Sequence, residues 1–223
     1  MLADNASSQA KLRRQLHVAF AEAHAEKRQP TVMEIIEKPA PFLDAFLEEC
    51  LRLTKTIPSI LRETLTDTTI LGHAVPKGTG IMIYNHGPGG QLESGFDIPE
   101  SVRSSTSQDS KDRVGEWNKD DIGQFRPERW LHEKPGAQGD GGGEGEFNGL
   151  EYNAYAGPFL TFGGGPRGCF GKKLAYMELR IVLAMLVWNF VFEACPAELS
   201  SYEGIDTATV VPKQCYVKLK QLI

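Results

Sequence analysis

Apolar positions recur every three to four residues in some stretches of the chain and alternate in others, which predicts helices with short strands between them. Leu12, Leu16, Ala19 and Phe20 mark a helix opened by Asn5, Ser7 or Ser8 and running toward Lys27, where Pro30 stops it. Thr31 followed by Glu34 has the capping-box pattern of a short second helix. Pro41 suits the first turn of a third, Pro41–Leu53, whose Leu43, Phe46, Leu47 and Cys50 form one core stripe. On that periodicity Glu49 and Arg52 lie off the stripe, as a solvated pair of little energetic weight.

From Arg62 to Asn85 the texture changes to strands. Thr68–Leu71 and Thr79–Tyr84 are predicted as a small hairpin joined through the turn chemistry of Val75-Pro-Lys-Gly78. Gly87–Lys111 has no periodicity and reads as a surface loop. Gly136–Gly149, with its run GDGGGEGE, reads as an acidic low-complexity loop. A short apolar run, Pro158–Phe162, precedes a glycine cluster at 163–171 and a long apolar helix from Lys172 to about Trp188. Gln214–Leu219 alternates like a strand. The expected fold class is mainly α with small β-sheets (α+β), in five segments. These are helices over 1–60, a β-hairpin over 61–85, loops over 86–157, the glycine turn with the long helix over 158–193, and a β tail over 194–223.

Composition narrows the function. The chain of 223 residues is 41% hydrophobic and 24% charged, with a net charge of −5, so it offers no basic footprint for nucleic acid. The longest apolar stretch, Ile181–Phe192, falls short of the ~20 residues of a membrane span and reads as a buried helix. The four cysteines form no C-x-x-C pair and no secretory signal precedes them, which points to reduced thiols and an intracellular setting.

The candidate chemistry lies in Phe162-Gly-Gly-Gly-Pro-Arg-Gly-Cys-Phe-Gly171. Glycines at 163, 164, 165 and 168 permit left-handed backbone and let a flat ligand approach closely. Cys169 sits just before the long helix, whose first N–H groups favour a negatively charged atom. Arg167 supplies a fixed charge suited to a carboxylate, and Phe162 can shield the sulfur from water. A second reading is open, because Gly163-x-Gly165-x-x-Gly168 also fits the dinucleotide fingerprint of a Rossmann-like module, with Glu193 ending a later strand. Pro166 and Arg167 in the tight turn, and the 30 residues after Glu193, speak against it.

The order F-x-x-G-x-R-x-C-x-G, filled by Phe162, Gly165, Arg167, Cys169 and Gly171, resembles the haem-binding segment of the cytochrome P-450 family, with Ala175 where that family has a small residue. Glu49-Cys-Leu-Arg52 resembles its E-x-x-R, and Phe125-Arg-Pro-Glu-Arg-Trp130 its P-E-R-F/W segment, in the family's order. The resemblance implies haem b, with Cys169 as the axial thiolate ligand of the iron and Phe162, Gly163, Gly165 and Gly171 around it. It also implies propionate contacts from Arg167 and Arg62, and a buried structural network of Glu49, Arg52 and Arg129. Thr56–Leu61 and Thr207–Val211 would face substrate.

The implied activity is monooxygenation of a hydrophobic organic molecule, in secondary-metabolite biosynthesis if the similarity to filamentous-fungal members holds. Electrons would come from NADPH through a separate reductase, docking near Lys172 and Lys173. Full-length relatives are usually anchored to the endoplasmic reticulum membrane. No A/G-G-x-x-T segment of the distal helix occurs in the chain, so no catalytic residue is assigned. The expectation is the C-terminal, haem-binding portion of the family as a truncated chain, with an inactive remnant as the alternative.

Overall fold

A computed structural model describes residues 1–54, 56–84, 98–135, 146–207 and 209–222. Helix α1, Ala6–Ala19, buries Gln9, Leu12, Gln15 and Leu16 along one face, at the spacing its sequence dictates. The single helix expected to reach Lys27 is interrupted at Phe20, whose fully buried ring closes one segment and opens α2, Ala21–Ala25. Lys27 then turns left-handed at φ 53° and Arg28 N–H reaches back to Ala23 carbonyl, a Schellman-type stop made without glycine. In α3, Val32–Glu37, the Thr31–Glu34 capping box forms as predicted.

Helix α4, Pro41–Leu53, has the predicted bounds but not the predicted environment. Phe42, Leu43, Ala45, Phe46, Leu47, Glu48, Glu49 and Arg52 are all buried, so the helix is enclosed rather than half-exposed. The solvated reading of Glu49 and Arg52 is therefore wrong: both are fully buried. Periodicity failed because α4 packs on several sides, against α1, against α6 (Lys172–Asn189) and against the turn Pro127–Trp130. Phe20, Phe42, Phe46, Leu12, Leu16, Ala184 and Val187 complete the core among these helices.

The sheets are small and antiparallel. The predicted hairpin is replaced by two: β1, Ser59–Glu63, pairs with β4, Gly80–Tyr84, and β2, Thr68–Ile70, pairs with β3, His73–Val75. Leu71 and Gly72, both at positive φ, make the two-residue turn that the longer proline-containing turn was expected to supply. β5, Leu131–Glu133, pairs with β6, Leu150–Tyr152. β7, Phe190–Glu193, pairs with β10, Lys218–Gln221, so the tail strand begins four residues later than expected and returns to the end of α6. β8, Gly204–Asp206, and β9, Val210–Pro212, form a last hairpin.

Two loop expectations need correction. Within Gly87–Lys111, residues 87–97 lie outside the described residues, but Ser105–Arg113 is a helix, α5, capped by Ser104. Its sequence STSQDSKDR carries no apolar side chain, so no hydrophobic period could reveal it. Of Gly136–Gly149, residues 136–145 lie outside the described set, and Phe147 is buried in the core. Among the described residues no helix is long and apolar enough to cross a membrane.

Candidate functional site: a cysteine turn on a buried charge network

Beneath the candidate turn lies a network built by α4 and the Pro127–Trp130 turn. Arg52 donates from Nε to Glu49 Oε2 at 2.8 Å and from Nη2 to Glu49 Oε1 at 2.9 Å, a bidentate pair with both side chains fully buried. Arg129 donates to Glu49 Oε1 at 3.0 Å, Trp130 Nε1 to Glu49 Oε2 at 3.0 Å, and Arg126 N–H to Glu49 Oε1 at 2.8 Å. Both carboxylate oxygens are thus engaged by donors, as a buried anion requires.

Two arginines and one glutamate would leave an excess positive charge. Asp121, which the sequence reading did not single out, balances it: its Oδ1 accepts from Arg129 at 2.8 Å, and Arg126 reaches its other oxygen. These hydrogen bonds, first that from Arg129, hold the Asp121 carboxyl below its ordinary range.

Trp117, also missed, carries this network toward the turn. Its ring lies under both guanidiniums, at 5.6 Å from Arg52 and 5.7 Å from Arg129, and at 4.8 Å from Trp130. Its Nε1 donates to Pro158 carbonyl at 3.0 Å. Gly157 is required here, since a Cβ would sit 2.4 Å from the Trp117 ring. Thr161 hydroxyl adds a 3.3 Å bond to Leu51 carbonyl on α4. The strand-like run 158–162 is therefore tied down from two sides before the glycines begin. Single tryptophans and aspartates in a loop carry no local pattern, and only the pairing of loop to helix gives them a role.

The turn follows. Gly163 and Gly165 adopt φ 68° and 60°, values that strain any residue with a Cβ. Gly163 N–H donates to Leu160 carbonyl at 2.8 Å, Gly168 N–H to Gly165 carbonyl at 3.0 Å, and Cys169 N–H to Phe162 carbonyl at 2.8 Å. The last bond closes the loop and places Cys169 directly ahead of α6. The Cys169 thiol is free and exposed, and Arg167 is exposed with no carboxylate partner among the described residues. Phe170 is wholly exposed, an unusual position for a phenylalanine. By contrast, desolvation pushes the partly buried Cys50 thiol up to about 12.

The structure brings together Phe162, Gly163, Gly165, Arg167, Cys169 and Gly171 in one turn, and Glu49, Arg52 and Arg129 in one network. Arg62 stands apart on β1, exposed, its guanidinium donating to Leu61 carbonyl at 2.8 Å. Thr56 carbonyl accepts from Val210 N–H at 2.9 Å, which joins the two segments expected to face substrate. The donor set fits a haem: one accessible sulfur, an unpaired guanidinium for a carboxylate, and open space where Gly165 would carry a Cβ. It does not fit a dinucleotide, because β7 pairs antiparallel with β10 where that fold needs a parallel partner.

Comparison with known proteins agrees on the class. The cytochrome P-450 family model matches residues 1–101 and 119–218, and the chain belongs to that family. It is 40% identical to the cytochrome P-450 monooxygenase TRI13 of Fusarium sporotrichioides, over 99% of this chain and 38% of that protein. It is 39% identical to the Hps1-dma1 cluster cytochrome P-450 monooxygenase cyp3.1 of Dothistroma septosporum, over 98% of this chain and 69% of that one. A crystal structure of a cytochrome P-450 superposes with a TM-score of 0.63 at 21% identity, over 99% of this chain and 40% of the other, which supports the fold. The chain thus spans about two fifths of the Fusarium relative's length, and both of these relatives are fungal proteins.

Proposed function

We propose that this chain supplies the proximal, haem-binding part of a haem-thiolate monooxygenase acting on a hydrophobic organic substrate, in fungal secondary-metabolite biosynthesis. The observation that carries the reading is the exposed, free Cys169 at the end of a glycine turn anchored on a satisfied buried charge network. In this reading Cys169 is the axial ligand of the haem iron, and Arg167 and Arg62 meet the propionates. Gly163 and Gly165 admit the macrocycle, and Phe162 screens the sulfur from water. When bound, a thiolate-ligated haem supplies oxygen activation, because the sulfur pushes electron density onto the iron. Glu49, Arg52, Arg129 and Asp121 hold the floor beneath the turn and take no part in proton transfer.

Electrons come from NADPH through a separate reductase, for which the exposed Lys172 and Lys173 beside the turn are the docking positions. In this reading the segments Thr56–Leu61 and Thr207–Val211 face the substrate. The test is haem reconstitution followed by reduction under carbon monoxide. The expected result is a strongly red-shifted Soret band, as thiolate ligation gives. Haem uptake with an unshifted band, or no uptake, contradicts the proposal.

A further inference from the structure

Glu48 is buried beside Glu49 but faces away from the charge network. Its Oε1 accepts from Tyr152 hydroxyl at 2.7 Å and from Tyr176 hydroxyl at 2.8 Å, while Oε2 is buried without a partner among the described residues. Tyr176 is on α6, seven residues beyond Cys169, and its ring lies 5.2 Å from that of Phe162. Phe162 carbonyl in turn accepts the Cys169 N–H. A continuous chain of contacts therefore runs from Glu48 through Tyr176 and Phe162 to the cysteine.

The ring of Tyr176 is not confined by packing alone. A cavity of about 160 Å³ borders it, lined by Ile36, Leu47, Met177, Asp44 and Arg180 besides Glu48 and the two tyrosines. Lys172 Nζ stands 5.6 Å from the ring centroid on the turn side. With free space beside it, the ring keeps its place against Phe162 through the hydrogen bond to Glu48.

We propose that Tyr176, anchored by Glu48, is a positioning residue for the Cys169 ligand. It acts by holding Phe162 against the turn. This rests on the reading of Cys169 as the haem ligand. Outer contacts of this kind fix ligand orientation and are typically worth tenfold or more in affinity.

The test uses the haem-loaded protein and reads haem affinity and the Soret band of the ferrous carbon monoxide complex. Tyr176→Leu, which removes the ring, is expected to bind haem roughly tenfold more weakly and to lose a large part of the red-shifted band. Tyr176→Phe keeps the ring but frees it into the cavity, and is expected to lose a smaller part. Glu48→Gln keeps an acceptor for the hydroxyl and is expected to retain the wild-type affinity and band. If Tyr176→Leu does not fold, Tyr176→Phe decides alone: an unaltered band and affinity overturn the proposal. A wild-type protein lacking the red-shifted band sinks the haem-thiolate reading itself. A normal wild-type band that every Tyr176 variant retains sinks only this inference.

Discussion

The floor and the turn of the candidate site are built on opposite principles. In the floor, Glu49 and Arg52 are fully buried and each carboxylate oxygen of Glu49 has donors from Arg52, Arg129, Arg126 or Trp130. In the turn, Cys169, Arg167 and Phe170 are exposed, and backbone bonds close the loop from Leu160 to Cys169. A buried ion network contributes geometry more dependably than net stability, since its desolvation cost offsets much of its attraction. The contrast shows how a ligand atom can be presented to a cofactor: the exposed part carries the chemistry, and the enclosed part holds it still.

The largest effects should come from breaking the floor. Glu49→Ala leaves two arginines around an empty acceptor and is expected to cost ~3–5 kcal/mol, enough to unfold the chain in a urea titration. Trp130→Ala removes a fully buried ring that also bonds Glu49, with an expected cost of about 3–5 kcal/mol in the same assay. Were both variants as stable as the parent, the network would not be the frame described here.

A smaller effect concerns pH. Burial pushes the Glu48 carboxyl above its ordinary value of 4.5, against the lowering effect of its tyrosine donors. Its contribution to stability is therefore complete below 4.5 and is lost as pH rises through the raised value. Glu48→Gln should flatten the fall in Tm between pH 4.5 and neutrality, and an unchanged slope would place that dependence elsewhere. At the periphery, Thr31→Ala removes the capping box of α3 and should cost ~1 kcal/mol in thermal unfolding, without altering haem uptake.

The same contrast explains what the sequence could disclose. The turn was legible because its chemistry is local: glycines at fixed offsets, one arginine and one cysteine lie within ten residues. Helix α4 was legible from its apolar period and from Pro41, and the long α6 from its apolar run. Yet only Ala184 and Val187 of α6 are buried, and Phe190–Glu193 is a strand where the sequence read one buried helix over Ile181–Phe192. The floor was only half legible. Glu49, Arg52 and Arg129 could be grouped by resemblance, yet periodicity placed the first two in solvent, since it cannot see a helix surrounded on several sides. Trp117 lies in a loop and meets Pro158 and Arg52, far from it in the sequence, while Asp121 meets Arg126 and Arg129 at loop spacings that no helical or strand period marks, and both escaped notice. Strand pairing failed for a related reason. The pairing of Ser59–Glu63 with Gly80–Tyr84 bridges a whole intervening hairpin, and local turn chemistry favoured the nearer partner.

Whether the turn exists to present one sulfur is tested most directly by comparing haem titrations of the parent chain and Cys169→Ser. Because the side chain is exposed, the serine variant should keep its unfolding free energy to within about 0.5 kcal/mol. It should lose the red-shifted carbon monoxide band completely. A serine variant that retains that band would contradict the account.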